Sequence, residues 1–256
     1  MSYTELEEVM TLAAFDLEIA KGIPEDVADW RTVSPLGISC ASVAFSDSNT
    51  PLVRYGVPQM TREECRMLVQ ELQELVAQGY TIVTWNGCSF DFPVLAEESG
   101  LYTECVDLAV NHVDLMLIVT FTKGWFLSLQ KALDGARLGG KVKTITLSNG
   151  TVLKDMEGSK APDLWSQGEH EAVLTYLQGD VEQLIKLAEV VKRDGTIRWT
   201  ARSGNPQSVR IDRLMTVKEC FSIPEPDVSW MTNPPSRQQF VQWMEPYHKP
   251  SITQGL

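Results

Sequence analysis

Three acidic clusters carry the chemistry that this sequence offers. Asp16-Leu17-Glu18 closes the apolar run at residues 11–15 (TLAAF). Side chains two apart on a strand face the same way, so both carboxylates point to one side. Asp91 lies in the run Trp85-Asn86-Gly87-Cys88-Ser89-Phe90-Asp91-Phe92-Pro93, where Pro93 suits the first turn of a helix. Tyr176 and Asp180 stand four apart in a helical pattern and share a face. Taken singly, each has an ordinary explanation. Strands often end in acids, Asp91 can cap its helix, and a Tyr–Asp pair can be a solvated helix face. Those explanations leave two features over: a central strand ending in Asn86-Gly87, and Gly179 inside a helix. A glycine there is costly unless something approaches the backbone closely.

Other chemistries are poorly served. The five cysteines (Cys40, Cys65, Cys88, Cys105, Cys220) are scattered and form no CxxC pair, so reduced thiols of a cytoplasmic protein are expected. His112, His170 and His248 show no metal-ligand spacing. A bound metal would therefore need oxygen ligands, which points to Mg²⁺ or Mn²⁺ rather than zinc. The net charge of −12 argues against binding nucleic acid through a broad basic surface, but not against an enzyme whose acids hold cations. The N-terminus MSYTELEEVM lacks a basic start, and no apolar run reaches bilayer length; no membrane association is expected.

The elements that must position the acids follow from the hydrophobic pattern. Residues 11–15, 37–45 and 52–57 predict three strands in an antiparallel meander, with an irregular insertion at 21–35. Thr61 and Glu64 form a capping box for a helix that Gly79 stops. Residues 81–85 (TIVTW) suit a buried strand, and strand–helix–strand order makes a parallel crossover. Val113 to Met116 is open between a short strand and a helix start, and 128–136 is helical. Residues 143–153 predict a hairpin with a two-residue turn at Asn149-Gly150. The longest helix covers 169–193, with Val173, Leu177, Val181, Leu184, Leu187, Ala188 and Val191 on one face and Gly195 at its end. Beyond it, Pro206, Pro224, Pro226, Pro234, Pro235, Pro246 and Pro250 make a loop-rich tail.

In this order (strand, strand-to-helix loop, late helix) the clusters resemble the motifs of the DEDDy branch of the DEDD 3′–5′ exonucleases. The likeness is greatest to the proofreading domains of family B DNA polymerases and their free-standing bacterial relatives. Asp16-Leu17-Glu18 matches the first motif, Asn86 to Leu95 the second with Asp91 as its acid, and Tyr176-x-x-x-Asp180 the third. His112-Val113-Asp114-Leu115-Met116, Ser128-Leu129 and Leu138-Gly139-Gly140-Lys141 resemble family segments between the second and third motifs. Gly179 departs from the family pattern, where relatives often carry a larger residue.

The resemblance implies an α/β, RNase H-like fold: a mixed five-stranded sheet flanked by helices, spanning residues 1–195, with 196–256 as an appendage packed on it. It also implies hydrolysis of phosphodiester bonds at free 3′ ends of single-stranded nucleic acid, DNA before RNA, with two Mg²⁺ or Mn²⁺ ions roughly 4 Å apart. Asp16 would bridge both ions, Glu18 and Asp180 would complete the nucleophile-side site, and Asp91 would serve the second ion, partly through water. Tyr176 would orient the attacking water. A proofreading role would need a separate polymerase as partner. The alternatives are a non-catalytic nucleic-acid- or protein-binding module that keeps the fold, or a hydrolase of structured RNA or small nucleotides.

Several residues stay outside the set. His112 is expected to be structural, and Asp114 to be a strand-end or helix-cap acid. Lys141 and Lys143 are left without a role. The basic stretch at 186–218 could guide a strand or be a solvated surface, and Trp230, Phe240 and Trp243 are expected to anchor the tail.

Overall fold

The computed structural model describes residues 10–247; the acidic N-terminal segment before Met10, His248 and Pro250 lie outside them. Five strands, β1 (Thr11–Ile19), β2 (Ile38–Phe45), β3 (Leu52–Tyr55), β4 (Tyr80–Thr84) and β5 (Val113–Asp114), form one sheet in the order β3-β2-β1-β4-β5. The first three run antiparallel, and β4 and β5 run parallel to β1. This is the mixed five-stranded sheet expected. β1 lies in its middle and is covered on both faces, so its buried positions run nearly unbroken instead of alternating. Its end carries both acids of the first cluster: Asp16 and Glu18 pair with Ser42 and Cys40 of β2.

Seven helices follow the sheet's crossings: α1 (Arg62–Ala77), α2 (Asp91–Ser99), α3 (Tyr102–Asn111), α4 (Leu115–Lys123), α5 (Leu129–Gly135), α6 (Ala161–Ser166) and α7 (His170–Asp194). Thr61 and Glu64 close the capping box that starts α1, whose Cys65, Leu68, Val69, Leu72 and Leu75 are buried. α7 buries all seven residues of the expected apolar face and stops at Gly195 in the left-handed region, φ 61°. It lies across β1 and β2, while α1 packs on β4 and α2. Phe15 meets Phe92 of α2, with ring centroids 5.8 Å apart. The neighbouring Asp16, one residue along the strand, therefore points to the other face, toward α7.

The structure corrects some expectations. The hairpin holds only β6 (Ile145–Thr146) and β7 (Val152–Leu153), and its turn is three residues long, closed by Leu147 N–H donating to the Thr151 carbonyl at 2.8 Å. The tail contains a hairpin that proline content concealed, β8 (Thr196–Thr200) with β9 (Pro206–Arg210), followed by the short α8 (Val217–Cys220) and α9 (Gln238–Val241). Pro206 takes the first position of an outer strand, where a missing N–H is tolerated. Ile197, Trp199, Val209, Val217, Phe240 and Met244 join the same core as β1. Phe240 is buried and Trp243 half-buried, but Trp230 is 69% exposed. Its indole N–H donates to the Asp227 carbonyl within its own turn, and the ring stays out of the core. Half of the basic stretch's cations form local ion pairs: Arg193 and Arg198 with Asp194, Arg210 with Asp212, and Arg213 with Glu219 just beyond it.

Candidate active site

β1 and β4 are parallel and part company beyond Ala14 and Val83. The crevice outside the carboxyl ends of such strands is where α/β sheets place ligands. Asp16 and Glu18 project there from β1. Directly after Glu18 the pairing with β2 slips by one residue, a β-bulge at Ser39 whose hydroxyl donates to the Glu18 carbonyl at 3.0 Å. Bulges of this kind re-aim side chains beside functional sites.

The loop from β4 to α2 brings the third acid. Asn86 is in the left-handed region, φ 76°, a conformation that asparagine tolerates better than most residues. Gly87 is required by space: a Cβ there would stand 2.5 Å from the Thr84 hydroxyl oxygen. This is why the strand ends in Asn-Gly. Asp114, buried at the end of β5, braces the loop by accepting from Asn86 N–H at 3.0 Å and Cys88 N–H at 3.1 Å, and it caps α4 through Leu117 N–H. Asp91 does not cap its own helix. Its carboxylate reaches β1 and accepts from Leu17 N–H at 3.1 Å, between the two acids of the first cluster.

α7 supplies Tyr176 and Asp180, 1% and 2% exposed. Gly179 has the packing reason that its cost demanded. A Cβ on it would meet Val142 Cγ2 at 2.2 Å, so the loop after α5 seats its valine directly on the helix backbone. The preceding residue, Lys141, thereby reaches Asp180: Nζ lies 2.6 Å from Oδ2, and 5.2 Å from the centre of the Tyr176 ring. Gln130 of α5 holds the loop from behind, accepting from Lys141 N–H at 3.1 Å. Sequence reasoning left Lys141 without a role; Gly179 was the signal that some segment had to lie there.

Asp16, Glu18, Asp91, Tyr176 and Asp180 thus line one cavity of about 350 Å³, together with Lys141, Asn86, Phe90 and Gly158. The backbone of Gly158 lies against the Glu18 carboxylate, so the segment after β7 walls the cavity on that side. Burial, then the Asp180 charge, raises the Asp16 pKa to about 6, against the opposing pull of Lys141. Glu18 and Asp91 are pushed well above the carboxylate range, first by burial and then by Asp16. Asp180 is raised by burial, with Lys141 opposing. Burial, then the Asp180 and Glu18 charges, holds the proton firmly on Tyr176.

This donor set fits a hard divalent cation. It is all oxygen, and the two buried Asp180 oxygens are incompletely satisfied: Lys141 and Tyr176 lie close enough to stabilise the carboxylate, but neither gives it a hydrogen bond of full geometry. Among the described residues, no three His, Cys, Asp or Glu side chains close into a ready-made ligand set, so the fit is one of chemistry and not of preformed coordination. His112 is structural. Its Nδ1–H donates to the Ala109 carbonyl at 2.7 Å, which leaves Nε2 to accept from the Thr84 hydroxyl at 2.9 Å.

No curated protein matches the chain. Among solved structures, that of the family B DNA polymerase from the hyperthermophilic archaeon Pyrobaculum calidifontis is similar at 21% identity and a TM-score of 0.47, over 71% of this chain. The chain spans 24% of that structure's length. No helix among the described residues is long and apolar enough to cross a membrane. The sequence model of the RNase H superfamily matches residues 36–192, from the edge of β2 to the last turns of α7. With more than half of its length so matched, the chain belongs to the RNase H superfamily.

Proposed function

We propose that this protein is a divalent-metal-dependent 3′–5′ exonuclease acting on single strands with a free 3′ end, DNA before RNA. The observation that carries this reading is the convergence of Asp16, Glu18, Asp91, Asp180 and Tyr176, from β1, α2 and α7, on one cavity. On this reading residues 1–195 are the catalytic unit, residues 196–256 an appendage packed on it, the setting cytoplasmic, and a proofreading role would engage a separate polymerase.

Asp16, Glu18, Asp91 and Asp180 would hold Mg²⁺ or Mn²⁺, which when bound activate water and neutralise charge on the leaving oxygen. Tyr176 keeps its proton at any working pH and so serves as a hydrogen-bonding group that orients the attacking water. Asp91, tied to the backbone of β1, fixes the second loop relative to the first acids.

The test is a 5′-labelled single-stranded DNA and its RNA counterpart, incubated with Mg²⁺, Mn²⁺ or EDTA, beside Asp16→Ala. A ladder shortening from the 3′ end, lost with EDTA and in the variant, is expected. Full activity in Asp16→Ala would remove the site assignment. One observation favours the non-catalytic binding reading: Lys141 already supplies a positive charge to Asp180. Calorimetric titration with Mn²⁺ separates the two, because a pure binding module should show no ion-linked acidic site.

A further inference from the structure

A second cavity, about 550 Å³, adjoins the first. Asn86 and Phe90 line both, so the loop that carries Asp91 is the partition between them. One wall of the second cavity comes from the insertion after β1, with Trp30 and Arg31; another comes from the tail, with Gln239 and Gln242. The tail is pinned to the partition itself. Trp243 donates its indole N–H to the Cys88 carbonyl at 2.9 Å, and Cys88 Sγ lies 3.6 Å from the Phe240 carbonyl.

The lining is aromatic and open. Trp30 meets Phe90 edge-on, with centroids 5.5 Å apart at 71°. The Arg31 guanidinium carbon lies 5.2 Å from the Trp30 ring centre. Phe126 lines the same cavity at 51% exposure, held by a tilted contact with Phe240 at 5.9 Å. Arg31 uses its terminal nitrogens on Asp29 and on the Gln239 carbonyl, at 3.1 and 3.5 Å, while its buried Nε has no acceptor.

We infer that this cavity is the subsite for the nucleotides that precede the terminal one, with unpaired bases stacking on Trp30 and Phe126. The inference rests on the proposed exonuclease reading. A strand whose 3′ end lies at the acids must leave the first cavity, and the shared Asn86–Phe90 partition leads into the second. Aromatic faces suit bases of any sequence, and only a single strand presents those faces. Arg31 is the cation of this lining among the described residues and is already shared with Asp29, in a chain of net charge −12. Stacking, not phosphate neutralisation, therefore carries the binding, and its salt dependence is shallow, about 0.7 in log–log slope for each phosphate engaged.

The experiment measures anisotropy of 5′-fluorescein dT10 and rU10 with the full chain in EDTA, for wild type, Trp30→Ala and Phe126→Ala. Hydrolysis of the p-nitrophenyl ester of thymidine 5′-phosphate with Mn²⁺ is followed in parallel, because that substrate is too short to enter the second cavity. Each variant is expected to bind the decamers about fivefold or more weakly, with ester hydrolysis unchanged, and the two decamers report which sugar is preferred. Unchanged binding in folded Phe126→Ala and Trp30→Ala overturns the subsite, as does a wild type that binds neither decamer, whatever happens to the ester. Weakened binding in a protein that cleaves nothing supports the subsite and removes the exonuclease reading instead.

Discussion

At the residue scale, His112 and Tyr176 show how burial fixes a protonation state and what that implies. Burial presses the His112 pKa down to about 4, and its donor and acceptor bonds define a neutral ring. In the unfolded chain the same ring titrates near 6.5. Between those values the unfolded state binds the extra proton, so stability is full above pH 6.5 and falls as pH drops toward 4. The full difference amounts to about 3 kcal/mol. Urea unfolding from pH 7.5 to 4.5 should show wild type losing its advantage over His112→Gln by roughly this amount; parallel curves would mean the ring is not held neutral. Tyr176 makes the complementary case at the site. Tyr176→Phe removes one hydrogen-bonding group and should cost about tenfold in hydrolysis rate. On the proposed reading Asp180→Asn removes a charge that would hold the cations, and it should cost about 10³-fold or more. Single-turnover rates on a labelled oligonucleotide give both, and a wild-type rate in Tyr176→Phe ends its role in orienting water.

At the element scale, the contact between the loop after α5 and α7 decides where Lys141 sits. Gly179→Ala improves helix propensity by about 1 kcal/mol, yet it drives a methyl into Val142, and overpacking of this kind costs about 1–3 kcal/mol. Val142 is β-branched and cannot swing aside freely. The expected outcome is a net loss of stability together with displacement of Lys141, both largely restored by Val142→Ala in the double variant. Chemical denaturation of the four proteins of the cycle checks this, and additive effects would show that the two residues do not press on each other. The same contact shows what could be read from the chain alone. Gly179 announced a close approach, but its partner sits on another element and left no local mark. The strands of the sheet and the long α7 were legible because their apolar periodicity is strong. Asp16 and Glu18 were legible as strand-end residues on one side of β1, and the pairing with β2 carries the strand through both of them. The β8–β9 hairpin was missed because its burial against α5 is tertiary, and Pro206 concealed its second strand. The acids on the β4–α2 loop and on α7 were visible in their order along the chain. The reach of Asp91 to Leu17 N–H was not, since a helix cap explains the same residue equally well.

At the scale of the whole molecule, the fold concentrates part of a net charge of −12 in one crevice, with Lys141 as the cation of its lining among the described residues. Without divalent ions the folded protein holds protons on these acids: burial first, and then the neighbouring carboxylates, raise Asp16 to about 6 and push Glu18 and Asp91 well above the usual range, while burial raises Asp180 against the pull of Lys141. A raised carboxyl contributes stability below its unfolded value, near 4, and loses it as pH rises through the folded value. The metal-free protein should therefore lose stability from these acids from about pH 4 upward, through 6 and beyond. Divalent ions held as proposed would compete with those protons, so their stabilising effect would grow as the protons leave. At a hundredfold excess of Mn²⁺ over its Kd, about 2.7 kcal/mol is gained, or roughly 5–10 °C in Tm for a chain of this size. That shift is expected at pH 8 and should shrink strongly at pH 5. Asp180→Asn, relieved of one charge, should be more stable than wild type at pH 8 in EDTA and respond less to Mn²⁺. Thermal melts of both proteins at the two pH values, with Mn²⁺ and with EDTA, test the account as a whole. A Mn²⁺ shift equal at pH 5 and pH 8, or equal in Asp180→Asn, would mean that the ion binds elsewhere and that the crevice keeps its acids for another purpose.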